Sequence, residues 1–486
     1  MGRSSHFLVR AFVLRLAGVV YLIAFLSLWV QVDGLIGRGG ILPAADYIEL
    51  LSQRLGYDGW LKVPTVLWIN SSDGTLHLLC GLGVLLSCVL IAGILPALSL
   101  IGLWICYLSL VTGGGPFFSF QWDALLLEFG FLAIWWAPLD RGPTGVWAGD
   151  GTGRLVLWLN RWLLFRLMLS SGLVKLMSGD SVWRDFSALR YHYETQPLPT
   201  WTSWIVHQFP DWFQALSVGA MFCIEIAVPF TIFANRSVRL AGAAALGFLQ
   251  LAIAATGNYG FFNILTFVLC LTLLDDQVVG RIPVVSRMGF SKPVREWPRA
   301  IVLPVVALLL LLSTLNLANT ARLSFSTLVP ALSTAVQALR PFYLSSSYGL
   351  FAVMTTTRPE LIIEGSMDGE IWVPYEFEWK AGALDQRPSF ASPHMPRLDW
   401  QMWFAALRPF ERTPWVSNLL ARLLEGAPEV TELLASNPFR DGPPRFVRIQ
   451  QYEYSFTTYD QLWSTGEWWT RTRKGAYSPT FSLEPD

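Results

Sequence analysis

A chain of 486 residues that is 53% hydrophobic and only 14% charged, with a mean hydropathy of +0.43, is too apolar for an ordinary water-soluble protein. Its 35 basic and 35 acidic side chains cancel and no basic tract of useful length occurs, which excludes nucleic-acid binding and any general pull toward anionic surfaces. All five cysteines (Cys80, Cys88, Cys106, Cys223, Cys270) fall in apolar runs, so they read as small buried hydrophobes and not as a disulfide framework or a zinc site.

Nine segments approach the roughly 20 apolar residues that a bilayer requires: Ala11 to Val30, Leu76 to Leu95, Ala97 to Val111, Gln121 to Ala137, Arg154 to Met177, Trp212 to Ala234, Val238 to Thr256, Tyr259 to Leu274 and Ala300 to Leu317. The basic stretch Met1 to Arg15, with Arg3, Arg10 and Arg15, overlaps the start of the first, but no small-residue cleavage site follows Val30, so it is expected to stay as an uncleaved helix. Arg281, Arg287, Lys292, Arg295 and Arg299 crowd the loop from Asp275 to Arg299, and Arg236 and Arg239 the short loop after Ala234, which places both loops on the cytoplasmic side. With nine helices, the segments Gln31 to Thr75 and Ser178 to Asp211 then face outward. The second is rich in aromatic rings suited to the headgroup level, among them Trp183, Tyr193 and Trp201. Asn70-Ser71-Ser72 is a glycosylation acceptor on that side if the source is eukaryotic.

Charge increases sharply after about residue 320. There Leu361 to Ser366, the turn Met367-Asp368-Gly369-Glu370 and Ile371 to Lys380 predict a β-hairpin, with Val373, Tyr375, Phe377 and Trp379 alternating against polar neighbours. A second alternating run covers Gln450 to Thr457, and helices are expected at Asp399 to Leu407 and Ser417 to Ala435. The fold class expected is therefore an α-helical multi-pass membrane domain of about nine helices over residues 1–319, followed by a mainly β extramembrane C-terminal domain over 320–486.

Ionisable groups inside spans are costly and call for a partner or a purpose. Asp123, Glu128, Arg161, Arg166, Lys175 and Glu225 are such groups, and Glu225 stands four residues before Pro229, where a kink would open a polar pocket. Three of the carboxylates could be balanced by two guanidiniums in one buried cluster of Asp123, Glu128, Arg161, Arg166 and Glu225. Lys175, three residues from the end of its span, either snorkels to the headgroups or is desolvated and acts as a base. No nucleophile elbow, phosphate loop or His-x-x-x-His pair occurs, the five histidines are scattered, and no metal or cofactor is implied.

Several long motifs in order resemble the lipase maturation factors: Phe120-Gln121-Trp122-Asp123 through Glu128, Arg161 to Met168 leading to Ser171-Gly172-Leu173-Val174-Lys175, His192-Tyr193-Glu194-Thr195-Gln196-Pro197, Thr256-Gly257-Asn258-Tyr259-Gly260-Phe261-Phe262-Asn263, and Pro393-His394-Met395-Pro396-Arg397-Leu398-Asp399-Trp400. The resemblance runs from about residue 117 to 480. It implies a membrane protein that assists folding and assembly of exported clients such as lipases. It also adds Asn258 and Asn263 to the intramembrane polar residues, His192, Tyr193 and Glu194 to the outward loop, and His394, Arg397 and Asp399 to the C-terminal domain as candidate site residues. No retention signal precedes Asp486, so the expectation is a bacterial inner-membrane member, or an endoplasmic reticulum protein if the source is eukaryotic, with the C-terminal domain on the periplasmic or lumenal side.

The stretch from Ser171 to Trp183 is similar to part of the membrane domain of vitamin K-dependent carboxylases, where the lysine is a catalytic base. That likeness implies an alternative: an intramembrane enzyme acting on a lipid, a quinone-like molecule or a protein, with Lys175 as base. A transporter ranks last, for want of inverted repeats.

Overall fold

The computed structural model describes residues 5–140, 152–286, 294–322 and 330–483. Each of the nine apolar segments is helical. They are α1 (Phe7–Trp29), α2 (Asp73–Ala92), α3 (Pro96–Gly113), α4 (Gln121–Trp136), α5 (Gly153–Met177), then, after α6 (Ala188–Thr195) in the aromatic segment, α7 (Asp211–Phe222), α8 (Arg236–Thr256), α9 (Phe262–Cys270) and α10 (Arg299–Thr320). Among the described residues six helices are long and apolar enough to cross a bilayer: α1, α2, α3, α7 with its extension to Phe233, α8 and α10. The chain is an integral membrane protein. Of the others, α4 and α9 are short, while α5 carries Arg154, Arg161, Arg166 and Lys175 and packs against α4, α9, α10 and the α7 extension. Arg287 and Lys292, part of the basic loop, lie outside the described residues.

Local chemistry sets the helix ends. Gly93 ends α2 in the left-handed region at φ 77°, and Pro96 opens α3 at its first position, where a missing N–H costs nothing. Helix α7 runs into a π turn at Cys223–Ala227 and a 3₁₀ stretch at Val228–Phe233, so the distortion expected around Pro229 is present and Glu225 sits on it. Of the cysteines, Cys80, Cys106 and Cys270 are buried as expected, whereas Cys88 and Cys223 face out of the bundle.

The C-terminal region holds one antiparallel sheet of five strands: β1 (Arg358–Ser366), β2 (Val373–Pro374), β3 (Phe446–Phe456), β4 (Trp469–Ala476) and β5 (Phe481–Ser482). The order is β2-β1-β3-β4, with β5 also paired to β3, and Ile362 opposes Gln450 across the central pair. Two expectations need correction. The second arm of the predicted hairpin pairs with β1 only at Val373 and Pro374 and through Tyr375 N, which donates to the Ile363 carbonyl; beyond it Glu376 bridges to Ser436 and the N–H groups of Trp379 and Lys380 go to the Asp399 carboxylate. The alternation there reports burial of Tyr375 and Phe377 rather than a continuous ladder with β1. The helix expected over Ser417 to Ala435 stops as Pro414–Leu424, since Gly426 takes φ +69° and Pro428 starts a separate turn at Pro428–Thr431. The other expected helix is α11 (Arg397–Ala406).

The sheet is not an appendage on a stalk. One apolar core runs unbroken from Leu28 of α1, through Leu126 of α4 and Leu398 of α11, to Val447 and Ile449 of β3.

Candidate functional site

The single intramembrane cluster expected of Asp123, Glu128, Arg161, Arg166 and Glu225 does not exist; each carboxylate has its own partner. Asp123, in the first turn of α4, accepts from both terminal nitrogens of Arg397 at 2.8 Å and from the Tyr107 hydroxyl at 2.5 Å. Arg397 also donates to the carbonyl of Phe117 at 2.7 Å and lies over the Phe118 ring. Burial alone would lower the Arg397 guanidinium, but the Asp123 carboxylate more than offsets this and holds it above its usual range.

Glu128 pairs with Arg166 and accepts from Ser346 N at 2.7 Å and Tyr348 Oη at 2.6 Å. Arg161 lies toward the other end of α5, donating to the Thr272 carbonyl at 2.9 Å and standing 3.2 Å from His6 Nε2. The dispersal arises because each carboxylate has a separate cation, Arg397 of the C-terminal region for Asp123 and Arg166 and Lys175 of α5 for Glu128 and Glu225, with Ser346 and Tyr348 adding hydrogen bonds at Glu128.

Other candidates sit on the same joint between the two halves. Asn258 uses its whole amide: Nδ2 donates to the carbonyls of Leu198 (3.1 Å) and Ser389 (2.8 Å), and Oδ1 accepts from Ala391 N and Ser392 N. Glu194 Oε2 accepts from Phe456 N at 2.7 Å, and burial raises its pKa. Arg358, which sequence reasoning missed, donates to the carbonyls of Glu194, Gln196 and Pro197. His394 Nδ1 meets Ser27 Oγ of α1 at 3.0 Å, and burial pushes its pKa down to about 4. Asp399 braces Trp379 and Lys380 within the C-terminal region, and desolvation raises its carboxyl to about 6.

A different group surrounds a cavity of about 420 Å³ between α5, α7, α8 and α9, capped by α6 and by Leu350 and Phe351. Lys175 Nζ projects into its wall, donating to Glu225 Oε1 (2.8 Å), Glu225 Oε2 (2.7 Å) and the Ser171 carbonyl (3.1 Å), with the Trp183 ring 5.5 Å away. Its ammonium therefore does not snorkel: the side chain is 8% exposed, because Glu225 brings the countercharge inside. Gly172 makes the meeting possible, since a Cβ there would sit 2.6 Å from Ile226 Cγ1 and 3.2 Å from Glu225 Cβ.

Asn263 donates to Gln250 Oε1 at 3.0 Å, and Gln250 Nε2 finds only the Met168 sulfur at 3.8 Å. His192 Nε2 lies 3.0 Å from Tyr259 Oη, which donates to Gln196 Oε1, while Gln196 Nε2 donates to the carbonyls of Tyr193 and Thr256. This chain fixes His192 as the Nε2–H tautomer. Burial, helped by the Lys175 charge, pushes it down to about 4, so it is neutral at physiological pH. Tyr193 lines the same space. Gln250 was not legible as a site residue; its only signal is an amide in an otherwise apolar stretch of α8. Among the described residues no His, Cys, Asp and Glu side chains gather in a group that could hold a metal ion.

Comparison with known proteins covers both halves. A family model described as the lipase maturation factor transmembrane domain matches residues 8–281, and one described as the lipase maturation factor C-terminal domain matches residues 344–479. The chain is 36% identical to lipase maturation factor 2 of Xenopus laevis, across 99% of this chain and 83% of that protein. It is 36% identical to lipase maturation factor 2 of Homo sapiens, across 98% and 83%, and 34% identical to lipase maturation factor 1 of Mus musculus, across 99% and 88%. No solved structure matches it.

Proposed function

Because the chain belongs to the lipase maturation factor family, we propose that it is a membrane-embedded factor for the folding and assembly of exported hydrolases, lipases first among them. A role in lipase maturation follows from the relatives' names; the mechanism suggested here is that of a fixed platform. The observation that carries it is the buried joint from Asp123 to Arg397, which ties α11, the helix packed on β1 of the C-terminal sheet, to the bundle. A client held on that sheet stays at the membrane where it emerged. The basic residues Arg236, Arg239, Arg295 and Arg299 support a cytoplasmic assignment for their loops and a periplasmic or lumenal one for the sheet, in a bacterial inner membrane or an endoplasmic reticulum membrane.

The test is co-expression with a secreted lipase in cells lacking a maturation factor of their own. Active lipase per secreted molecule should rise with the full chain and return to background when residues 320–486 are deleted. An unchanged yield of active lipase with the full chain ends this reading.

A second reading is supported by Lys175, buried in the wall of the cavity: an intramembrane enzyme in which that lysine is the base. It requires an Nζ proton to pass first to Glu225, since all three N–H groups are engaged. Lys175→Arg separates the two readings, because arginine keeps the ion pair and does not deprotonate; full activity in that variant removes the catalytic role.

A further inference from the structure

The cavity opens sideways. Helix α8 and the α7 extension cross tightly at Gly242, where any side chain would run into Thr231 Oγ1. From there they diverge: α8 packs on Val228–Phe233, on α9 and on the short helix Trp201–His207, while Asp211–Phe222 packs on α6 instead. The gap between the diverging arms is the mouth, rimmed by Ala220 on α7 and by Phe248, Ala252 and Ala255 on α8, all exposed. Both arms belong to bilayer-length apolar helices. The mouth therefore faces hydrocarbon, at the end of the bundle that carries the C-terminal sheet, and what a bilayer offers there is an acyl chain.

The interior sets the headgroup. Most of the wall is apolar, with Leu167, Met221, Ile224 and Ile253 among its side chains; the charged side chains in it are Lys175 and Glu225, and the Gln250–Asn263 amides, the His192 ring and a few hydroxyls, among them Tyr193 and Tyr259, complete its polar part. Lys175 and Glu225 neutralise one another completely, and His192 is uncharged, so no free charge awaits a phosphate or a carboxylate. The Gln250 amide nitrogen, 4% exposed as a residue and satisfied only by a sulfur at 3.8 Å, is a donor that a hydroxyl or ester oxygen would satisfy better. A volume of about 420 Å³ lies at the small end of ligand sites, which span ~300–1,000 Å³, and suits one chain rather than the two of a membrane phospholipid.

We propose that the cavity binds an uncharged single-chain lipid with a hydroxyl- and ester-bearing headgroup, taken from the bilayer between α7 and α8 with its headgroup at Gln250 and the Lys175–Glu225 pair. This goes beyond the maturation role and does not depend on it, since binding is read without any lipase present.

The experiment uses the purified full-length protein in nanodiscs and a photoactivatable monoacylglycerol, with labelled peptides mapped by mass spectrometry. Label is expected on α7 and α8 around Met221 and Ile253, displaced by excess monooleoylglycerol but not by oleate or lysophosphatidylglycerol at pH 7.5. Ala252→Trp, a change on the lipid-facing rim that leaves the core intact, should reduce labelling by about tenfold, equivalent to about 1.4 kcal/mol of binding; Ala255→Trp is the parallel variant if the first is not monodisperse. Glu225→Gln leaves the ammonium without its countercharge and should make oleate an effective competitor. Labelling outside the cavity, or undiminished in both tryptophan variants, overturns the site; oleate competing as well as monooleoylglycerol in the wild type overturns the headgroup assignment.

Discussion

Asp123 and Arg397 stand 274 positions apart in the chain and meet through two parallel hydrogen bonds of 2.8 Å, with neither side chain more than 1% exposed. A bidentate pair this buried fixes orientation as well as distance, which is why it serves as a joint between a membrane helix and a sheet-bearing domain. Removing one partner strands the other charge. Asp123→Asn or Arg397→Met should each destabilise the protein by about 3–5 kcal/mol, and the double variant should cost clearly less than the sum. Denaturant unfolding of the four forms in one detergent measures the coupling; simple additivity would show that the pair does not act as a joint.

Gly172 offers a steric test of the cavity wall. Gly172→Val puts a branched side chain where Ile226 Cγ1 would already be 2.6 Å from a Cβ, so α5 must move away from the π turn. Overpacking of this kind costs about 1–3 kcal/mol. Lys175 should separate from Glu225 and become reactive to amine reagents that leave the wild type untouched. Equal protection in both proteins would count against the role given to Gly172.

His394 makes stability depend on pH. Its folded pKa is about 4 against an ordinary 6.5, so the folded state prefers the neutral ring that hydrogen-bonds with Ser27. The contribution is fully present above about pH 6.5 and is lost as pH falls through about 4, because the unfolded chain takes up the proton first; it amounts to about 3 kcal/mol. Asp399 works the other way, its carboxyl raised to about 6, so its ionisation disfavours the fold as pH rises from about 4 to about 6. His394→Gln should flatten the acid-side loss, and Asp399→Asn, which keeps an oxygen for Trp379 N and Lys380 N, should steepen it. Melting midpoints from pH 4 to 7 for the three proteins decide both.

Asn258 is expected to tolerate almost nothing. In Asn258→Asp the nitrogen that donates to Leu198 O and Ser389 O becomes an oxygen facing two carbonyls. Two lost bonds and a repulsion should cost about 2–5 kcal/mol. Limited proteolysis should then cut near residues 389–392 before the rest of the sheet domain; a wild-type cleavage pattern would contradict the placement.

The sequence was most legible where one physical rule governs. Apolar length located every helix of the bundle, and the Pro229 distortion beside Glu225 followed from a missing N–H. Countercharges were not legible, since nothing local to Asp123 announces Arg397 and nothing local to Lys175 announces Glu225. From the sequence, Asp123, Glu128 and Asn258 read as intramembrane polar residues, Glu194 as part of an outward loop and His394 and Arg397 as residues of the C-terminal domain, with nothing to say that they meet. Most of them join the two halves, while the cavity takes Lys175, Glu225, His192, Tyr193 and Asn263. Alternation over Val373 to Trp379 misled because it encodes which side chains are buried, while the pairing with β1 stops after Tyr375 and the N–H groups of Trp379 and Lys380 end on the Asp399 carboxylate.

The Asp123–Arg397 joint also dictates an order of biosynthesis. A ribosome delivers α4 long before it reaches Arg397, so throughout that interval the nascent bundle holds an unmatched carboxylate at its edge and an unfilled seat above it. Insertion of the helices is therefore not the end of folding for this chain: the bundle is completed when the last third closes onto it, and a stalled or truncated product would carry its own mark of incompleteness in an Asp123 held by the Tyr107 hydroxyl without its countercharge.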